Sequence, residues 1–408
     1  MTQGFEVLDF NDFHRSELPL RLSEGNGALA AGTAKALGSL AFRLNDGGDD
    51  GDGDEAYTYV ARGTSIDVLP GDENADTVVA LSRESWEGLV HDLESPAGLL
   101  YGGLAKGQRG DMMQFVGWEP CLRAMYTGRP IYDAAKIDLR NRDGSRLDPG
   151  RSFRLDDNSD DMIHFLRTAG YIRVRDVFDA AELATLRKEA AQLQTRARIG
   201  DEQSWWGKHE SGENVLCRVL NAGQMPSMQG LYADARIRRI AALAGEELEP
   251  SNPGEIDGVT VLWKQPGVVE GLGDLPWHRD CGMGGHALNC PCAVMSIFLW
   301  PASKESGDLR FLPGSHRYSY PFADAADSDL PGSAAVGAQA GDVSIHFGDV
   351  VHGAPPPLSS EGPFRASILI SYKPPTARHH RGQRHYNDVL LEDNEGQTLD
   401  MRNLTSRE

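Results

Sequence analysis

Two rhythms of apolar and polar positions run along the chain. Between Ala31 and Tyr132 short alternating stretches predominate: Leu37 to Leu44, Tyr57 to Val60, Ser65 to Val68 and Thr77 to Leu81 read as four strands. Ser82 to Leu93 changes period, with Trp86, Leu89 and Val90 at helical spacing behind the candidate caps Ser82 and Ser85. Further on, the segment at His164 predicts a helix ending near Gly170 and a strand starting at Tyr171. Asp179 is placed to cap a helix over Ala180 to Gln194, whose Leu183, Leu186, Ala190 and Leu193 form one apolar stripe. Val294 to Trp300 is apolar except for Ser296, as in a strand covered on both faces, and Pro313-Gly314 closes a strand over Leu309 to Leu312.

These elements predict an α+β chain: an N-terminal arm (1–30), a small α+β domain (31–132), a charged linker (133–159), a larger β-rich domain (160–395) and a tail (396–408). Short strands separated by Gly and Pro turns from Tyr171 to Tyr372 predict a double-sheet jelly roll with flanking helices. Tyr318 to Ala340, rich in Ala, Asp, Ser and Gly, reads as a long functional loop.

With 408 residues, 40% hydrophobic and 25% charged, the chain can bury a sizeable core. A formal net charge of −20 argues against general affinity for nucleic acid or anionic membrane surfaces, though the segment Arg378 to His385 is locally basic. The absence of a basic leader and of a long apolar run leads to the expectation of a soluble cytoplasmic protein that does not insert into membranes; the oligomeric state is left open. Five cysteines, an odd number, suit a reducing compartment.

The chemistry concentrates at Trp277-His278-Arg279-Asp280. His278 and Asp280 stand two residues apart, so on a strand both leave one face and could grip one ion. A third ligand is sought downstream, where Gly341 to Gly353 holds two histidines: His352 lies where an apolar run meets a glycine, whereas His346 reads as a core residue or a support for the ligands. Thirteen positions after His352, Arg365 shares a face with Ser367 and Leu369, and an inward guanidinium there needs an anion. Two histidines and one carboxylate with an open side are the ligands of non-haem ferrous oxygenases.

Cys281, His286, Cys290 and Cys292 follow at a spacing unlike the usual zinc patterns, and small thiols near the pocket are the preferred reading. The acidic run between Leu44 and Tyr57 lacks the Gly and Glu positions of a helix-loop-helix calcium loop and reads as a solvated hairpin tip.

From about Asp160 to Lys373 the chain resembles the phytanoyl-CoA dioxygenase family of iron(II)- and 2-oxoglutarate-dependent oxygenases. The resemblance rests on Leu-Trp-Lys-Gln-Pro-Gly (262–267), His278-Arg279-Asp280, Gly-Asp-Leu-Arg-Phe-Leu-Pro-Gly-Ser-His-Arg (307–317), Ala-Gly-Asp (340–342), His352-Gly353 and Arg365. It implies Fe(2+) held by His278, Asp280 and His352, with 2-oxoglutarate and O2 as cosubstrates. Arg365 would hold the far carboxylate of 2-oxoglutarate, with Ser367 and an inward Lys264 as further contacts. Retention of Asp280 separates the chain from relatives that halogenate. Ala354 stands where many relatives have Ser two residues after the distal histidine, and Ser367 is a candidate to supply that hydroxyl.

The expected outcome is hydroxylation of an apolar small molecule or acyl thioester with release of succinate and CO2. Trp205, Trp206, Trp277 and Met283 are the candidates for the substrate pocket, the tryptophan pair lying in a loop-like stretch. His316, beside the Pro-Gly turn, reads as structural. The strand and helix order over 31–132 resembles a sterol-carrier domain, which implies a curved sheet and helices around a lipid tunnel. That likeness motivates the alternative of a lipid-binding or carrier protein with a non-catalytic jelly roll, a reading that leaves His278, Asp280, His352 and Arg365 unexplained. A zinc hydrolase is disfavoured because no Glu base lies near.

Overall fold

The computed structural model describes residues 5–45, 55–245, 247–250, 258–270, 275–282, 288, 292–321, 329–375 and 395–396. Met283, His286, Cys290, most of the acidic run and the basic segment after Lys373 lie outside these residues.

The N-terminal body is built on one sheet of five strands: β1 (Leu40–Leu44), β2 (Ala56–Arg62), β3 (Ser65–Pro70), β4 (Thr77–Leu81) and β5 (Ala105–Arg109), in the order β3-β2-β1-β4-β5. All neighbours are antiparallel except β1 and β4, which run parallel with Leu40 beside Thr77. The expected arm is instead helical from Phe10 to Leu37, kinked at Gly25, and its Phe10, Phe13 and Leu18 are buried in the core beneath the sheet. Leu37 accordingly closes a helix, and a left-handed Gly38 (φ 79°) turns the chain before β1. Ser82 caps the helix Arg83–Val90 through Ser85 N, and its Trp86 is fully buried among Phe10, Phe13 and His14. Large aromatic side chains fill this interior, with Phe115, Trp118 and Tyr59 wholly buried.

The linker is tied to the C-terminal body. Leu147 and Phe153 are buried in that body's core, and Phe153 N–H donates to Arg173 O at 2.9 Å.

The C-terminal body stacks two sheets. The larger contains β6 (Tyr171–Val174), β7 (Ser204–His209), β8 (Asn214–Val219), β9 (Glu249–Pro250), β10 (Val259–Trp263), β11 (Val268–Glu270), β13 (Ala293–Phe298), β16 (Val343–Phe347) and β18 (Ala366–Lys373). Its path is β11-β7-β8-β10-β18-β13-β16-β6, with β9 on β18. The smaller contains β12 (Leu275–His278), β14 (Arg310–Phe311), β15 (Ala334–Ala335) and β17 (His352–Ala354), ordered β12-β17-β14-β15. Trp205 and Trp206 therefore belong to a strand, where β8 pairs with them, rather than to a loop.

Strand register separates the faces of the large sheet. Met295, Ile345 and Ile370 lie side by side on one face, while Val294, His346 and Ser371 share the other. The first face belongs to the same core as Leu183, Leu186 and Leu193 of the helix Ala180–Arg196 and Ile237 and Ile240 of the helix Ala235–Ala244. The second faces the small sheet, because the Phe311 ring of β14 lies 5.0 Å from the His346 ring and stacks at 4.3 Å on Tyr171. A polar face is thus enclosed between two sheets, which is where a site can form.

Candidate metal centre

His278 is the last residue of β12 and His352 the first of β17, and the two pair directly across the small sheet. Alternation on β12 turns Trp277 the opposite way, into a cluster with Leu312 and Val351 where it is fully buried. Trp277, expected to line the substrate pocket, is therefore a core residue. Asp280 follows the strand, its backbone N–H donating to Gly348 O at 2.9 Å, so the turn between β16 and β17 fixes the carboxylate-bearing loop. Glycine is required at 348, because an added Cβ would meet Cys292 Sγ at 2.5 Å and Cys281 Sγ at 2.8 Å.

Asp280 Oδ1 stands 3.7 Å from His278 Nε2 and 3.7 Å from His352 Nε2. All three donor atoms lie within 4.8 Å of one another. Two donors each about 2.1 Å from one ion stand roughly 3–4 Å apart, so these three side chains fit a single metal ion of the first transition row. His352 Nδ1 lies 3.1 Å from Val350 O, an arrangement that places the ring proton on Nδ1 and leaves Nε2 free to coordinate. Burial lowers the His352 pKa to about 3, so the ring is neutral at ordinary pH. Burial pulls the Asp280 carboxyl up, but the adjoining His352, His278 and His346 outweigh it and hold the group well below the usual carboxylate range. Neutral imidazoles beside an ionised carboxylate are the protonation states that bind metal.

His346, buried on β16, brings Nε2 to 3.1 Å from Asp280 Oδ2. Donation from Nε2–H occupies that oxygen and leaves Oδ1 turned toward the two histidines. His316, by contrast, sits 3.1 Å from Arg167 O and serves the fold.

Arg365 immediately precedes β18 and is buried, with one hydrogen bond from Nη1 to Asp308 O at 3.2 Å and a buried Nε that has no partner among the described residues. Burial lowers its pKa to about 10, so the guanidinium remains charged at neutral pH. Ser367, two residues on, is likewise buried, its hydroxyl without a partner among the described residues. Lys264 N–H donates to Arg365 O at 2.8 Å, and the buried Lys264 ammonium donates to Ala354 O, two residues beyond His352. The lysine points inward. A second cation and an unpaired hydroxyl beside Arg365 are suited to an anionic ligand such as a carboxylate. Trp205 is buried with the Arg218 guanidinium 4.7 Å from its ring centre, and Trp206 donates through Nε1 to Ser204 Oγ at 2.8 Å.

Sequence reasoning missed Arg279. Alternation sends it to the side opposite His278 and Asp280, where it is buried among charges from both bodies. The small thiols expected near the pocket are there, Cys281 and Cys292 being buried with their sulfur atoms 3.4 Å apart. Among the described residues, His278, Asp280 and His352 form the one group placed to hold a metal ion. No helix among them is long and apolar enough to cross a membrane.

The chain is similar to several known proteins. An ectoine dioxygenase of Sphingopyxis alaskensis (strain DSM 13593 / LMG 18877 / RB2256) is 31% identical over 156 residues, which are 36% of this chain and 46% of that protein. The match thus spans just under half of that relative's length. Similar solved structures include AviO1 of Streptomyces viridochromogenes Tue57, with 26% identity over 55% of this chain and 98% of its own and a TM-score of 0.44. EctD of S. alaskensis with 2-oxoglutarate and 5-hydroxyectoine is 24% identical over 62% of this chain and 88% of its own, with a TM-score of 0.43. Residues 166–366, just under half of the chain, match the model of the phytanoyl-CoA dioxygenase family (PhyH), and His278, Asp280 and His352 all lie within the matched stretch.

Proposed function

We propose that the protein is an Fe(II)- and 2-oxoglutarate-dependent dioxygenase that hydroxylates a small molecule. The observation that carries this reading is the convergence of His278, Asp280 and His352, contributed by two strands and a loop, on one point. With iron and 2-oxoglutarate bound, such a centre couples decarboxylation of the cosubstrate to succinate with oxidation of a C–H bond.

The chain's own groups have separable tasks. His278 and His352 present ring nitrogen donors, the second oriented through Val350 O. Asp280 supplies one negative charge, and His346 fixes which of its oxygens is available. Arg365 offers a buried cation for the distal carboxylate of 2-oxoglutarate, and Ser367 and Lys264 complete a polar wall around it. Trp205 and Trp206, near the strand carrying Arg218, are the pocket residues retained from the sequence reading.

The N-terminal body is proposed to be sterol-carrier-like, a reading supported by its five-stranded sheet and flanking helices. It favours an apolar substrate or acyl thioester. A screen of such compounds with ferrous iron and 2-oxoglutarate, reading succinate release, tests the proposal. Substrate-stimulated succinate is expected; no bound iron and no succinate with any compound, alongside co-purified lipid, would favour a carrier instead.

A further inference from the structure

Arg279 sits between two metal ligands yet points away from the metal, into a buried cluster of three guanidinium groups and three carboxylates. Its Nη1 lies 3.1 Å from Glu119 Oε1 and its Nε 3.1 Å from Asp349 Oδ1. Arg123 joins Asp92 at 2.7 Å and Asp349 at 3.8 Å, and Arg129 bonds Asp349 and lies 3.9 Å from Asp92. Side-chain exposure across the six runs from 3 to 11%. Asp92, Glu119, Arg123 and Arg129 come from the N-terminal body; Arg279 and Asp349 come from the metal-bearing body. Asp349 itself is three residues before His352. Charges this deeply buried need their partners: removing one member of such a set strands the others.

A second contact is independent of charge. Ser95, which caps the helix Pro96–Tyr101, donates to Gly282 O from both its backbone N–H (3.1 Å) and its hydroxyl (3.0 Å). Gly98 lies so close that an added Cβ would stand 2.1 Å from Gly282 O. Gly282 is two residues beyond Asp280. A small cavity beside His278 has Ser95, Ala97 and Glu119 in its wall, so the N-terminal body reaches the ligand itself.

We propose that the N-terminal body is a positioning element of the metal centre, with Arg279 and the Ser95–Gly98 turn clamping the 278–282 loop in its ligating geometry. The inference rests on the metal-centre reading given above. Arg279 touches no metal in this scheme; it acts through the loop that carries His278 and Asp280.

The test is Co(II) binding to full-length apoprotein, followed by absorbance, alongside thermal unfolding and the KM and kcat for 2-oxoglutarate. Arg279→Lys, which keeps the charge but loses the fork, and Gly98→Ala, which leaves the charge cluster intact, are each expected to weaken Co(II) binding about 10- to 100-fold, the range typical of residues that orient metal ligands. At saturating metal, kcat should recover and the KM for 2-oxoglutarate should stay near the wild-type value. Folded variants that bind Co(II) as tightly as wild type would overturn the proposal. If Arg279→Lys does not fold, Gly98→Ala decides by itself, and if neither folds, Ser95→Ala, which removes only a hydroxyl, decides by the same affinity criterion. Failure of the wild-type protein to bind Co(II) would instead remove the metal-centre reading on which the proposal stands.

Discussion

Arg365 and His346 show how single side chains divide the labour of the site. A buried guanidinium with an unpartnered Nε is costly unless an anion completes it, and a charge-assisted bond to such a group is worth about 2–3 kcal/mol. Arg365→Ala is therefore expected to raise the KM for 2-oxoglutarate about 30- to 150-fold with metal affinity little changed, as read from succinate release against cosubstrate concentration. His346 acts on Asp280 rather than on the ion. His346→Phe removes the 3.1 Å contact and frees the second carboxylate oxygen, so metal affinity should fall about 10- to 100-fold, measured by Co(II) titration. The two variants thus separate cosubstrate binding from ligand orientation. His14 illustrates a different use of burial. Burial lowers its pKa to about 4, while its ring bonds Phe10 O and Tyr59 Oη at 2.6 Å each. Its folded pKa lies below the value near 6.5 of an unfolded chain, so the unfolded state takes up the proton first. Stability is unaffected above pH 6.5, falls as pH drops toward 4, and changes no further from this group below 4; the total is about 3 kcal/mol. Chemical denaturation at pH 7 and pH 4.5 should show the loss, and His14→Gln should flatten it.

At the scale of elements, local rules placed most of the scaffold. The helix Ala180–Arg196 begins at Asp179, as its sequence predicts, and Glu182 completes a full capping box there; its leucine stripe packs under the large sheet. Asp179→Ala should cost about 1 kcal/mol in denaturant unfolding and leave succinate formation unchanged, since the cap lies away from the metal ligands. Thr77–Leu81 forms the strand its alternation predicts, and Tyr171 opens β6 directly after Gly170. Elements went astray where tertiary contacts override pattern. Phe10, Phe13 and Leu18 look like part of an arm until a sheet is present to bury them, and Trp205-Trp206 gains strand geometry only from pairing with β8.

Across the whole molecule, the ligand set was legible because His278 and Asp280 share a strand-period spacing and His352 stands at a strand start, features that survive without coordinates. The same spacing put Arg365 and Ser367 on one face, and both are buried, Arg365 just before β18 and Ser367 within it. Trp277 was misjudged because alternation says that it opposes His278 but not that Leu312 and Val351 fill the space behind it. The joining of the two bodies was not legible at all: Glu119 and Arg279 are 160 positions apart, and nothing in either stretch announces the other. That contact makes the metal loop a property of both bodies at once.

The central claim is that His278, Asp280 and His352 together seat one ferrous ion. Anaerobic titration of the full chain with Fe(II), comparing wild type with Asp280→Ala at equal folded content, measures it most directly. One ion bound per wild-type chain, with binding lost in the variant, is the predicted result; retention of the ion by Asp280→Ala, or no ion in the wild type, would contradict it.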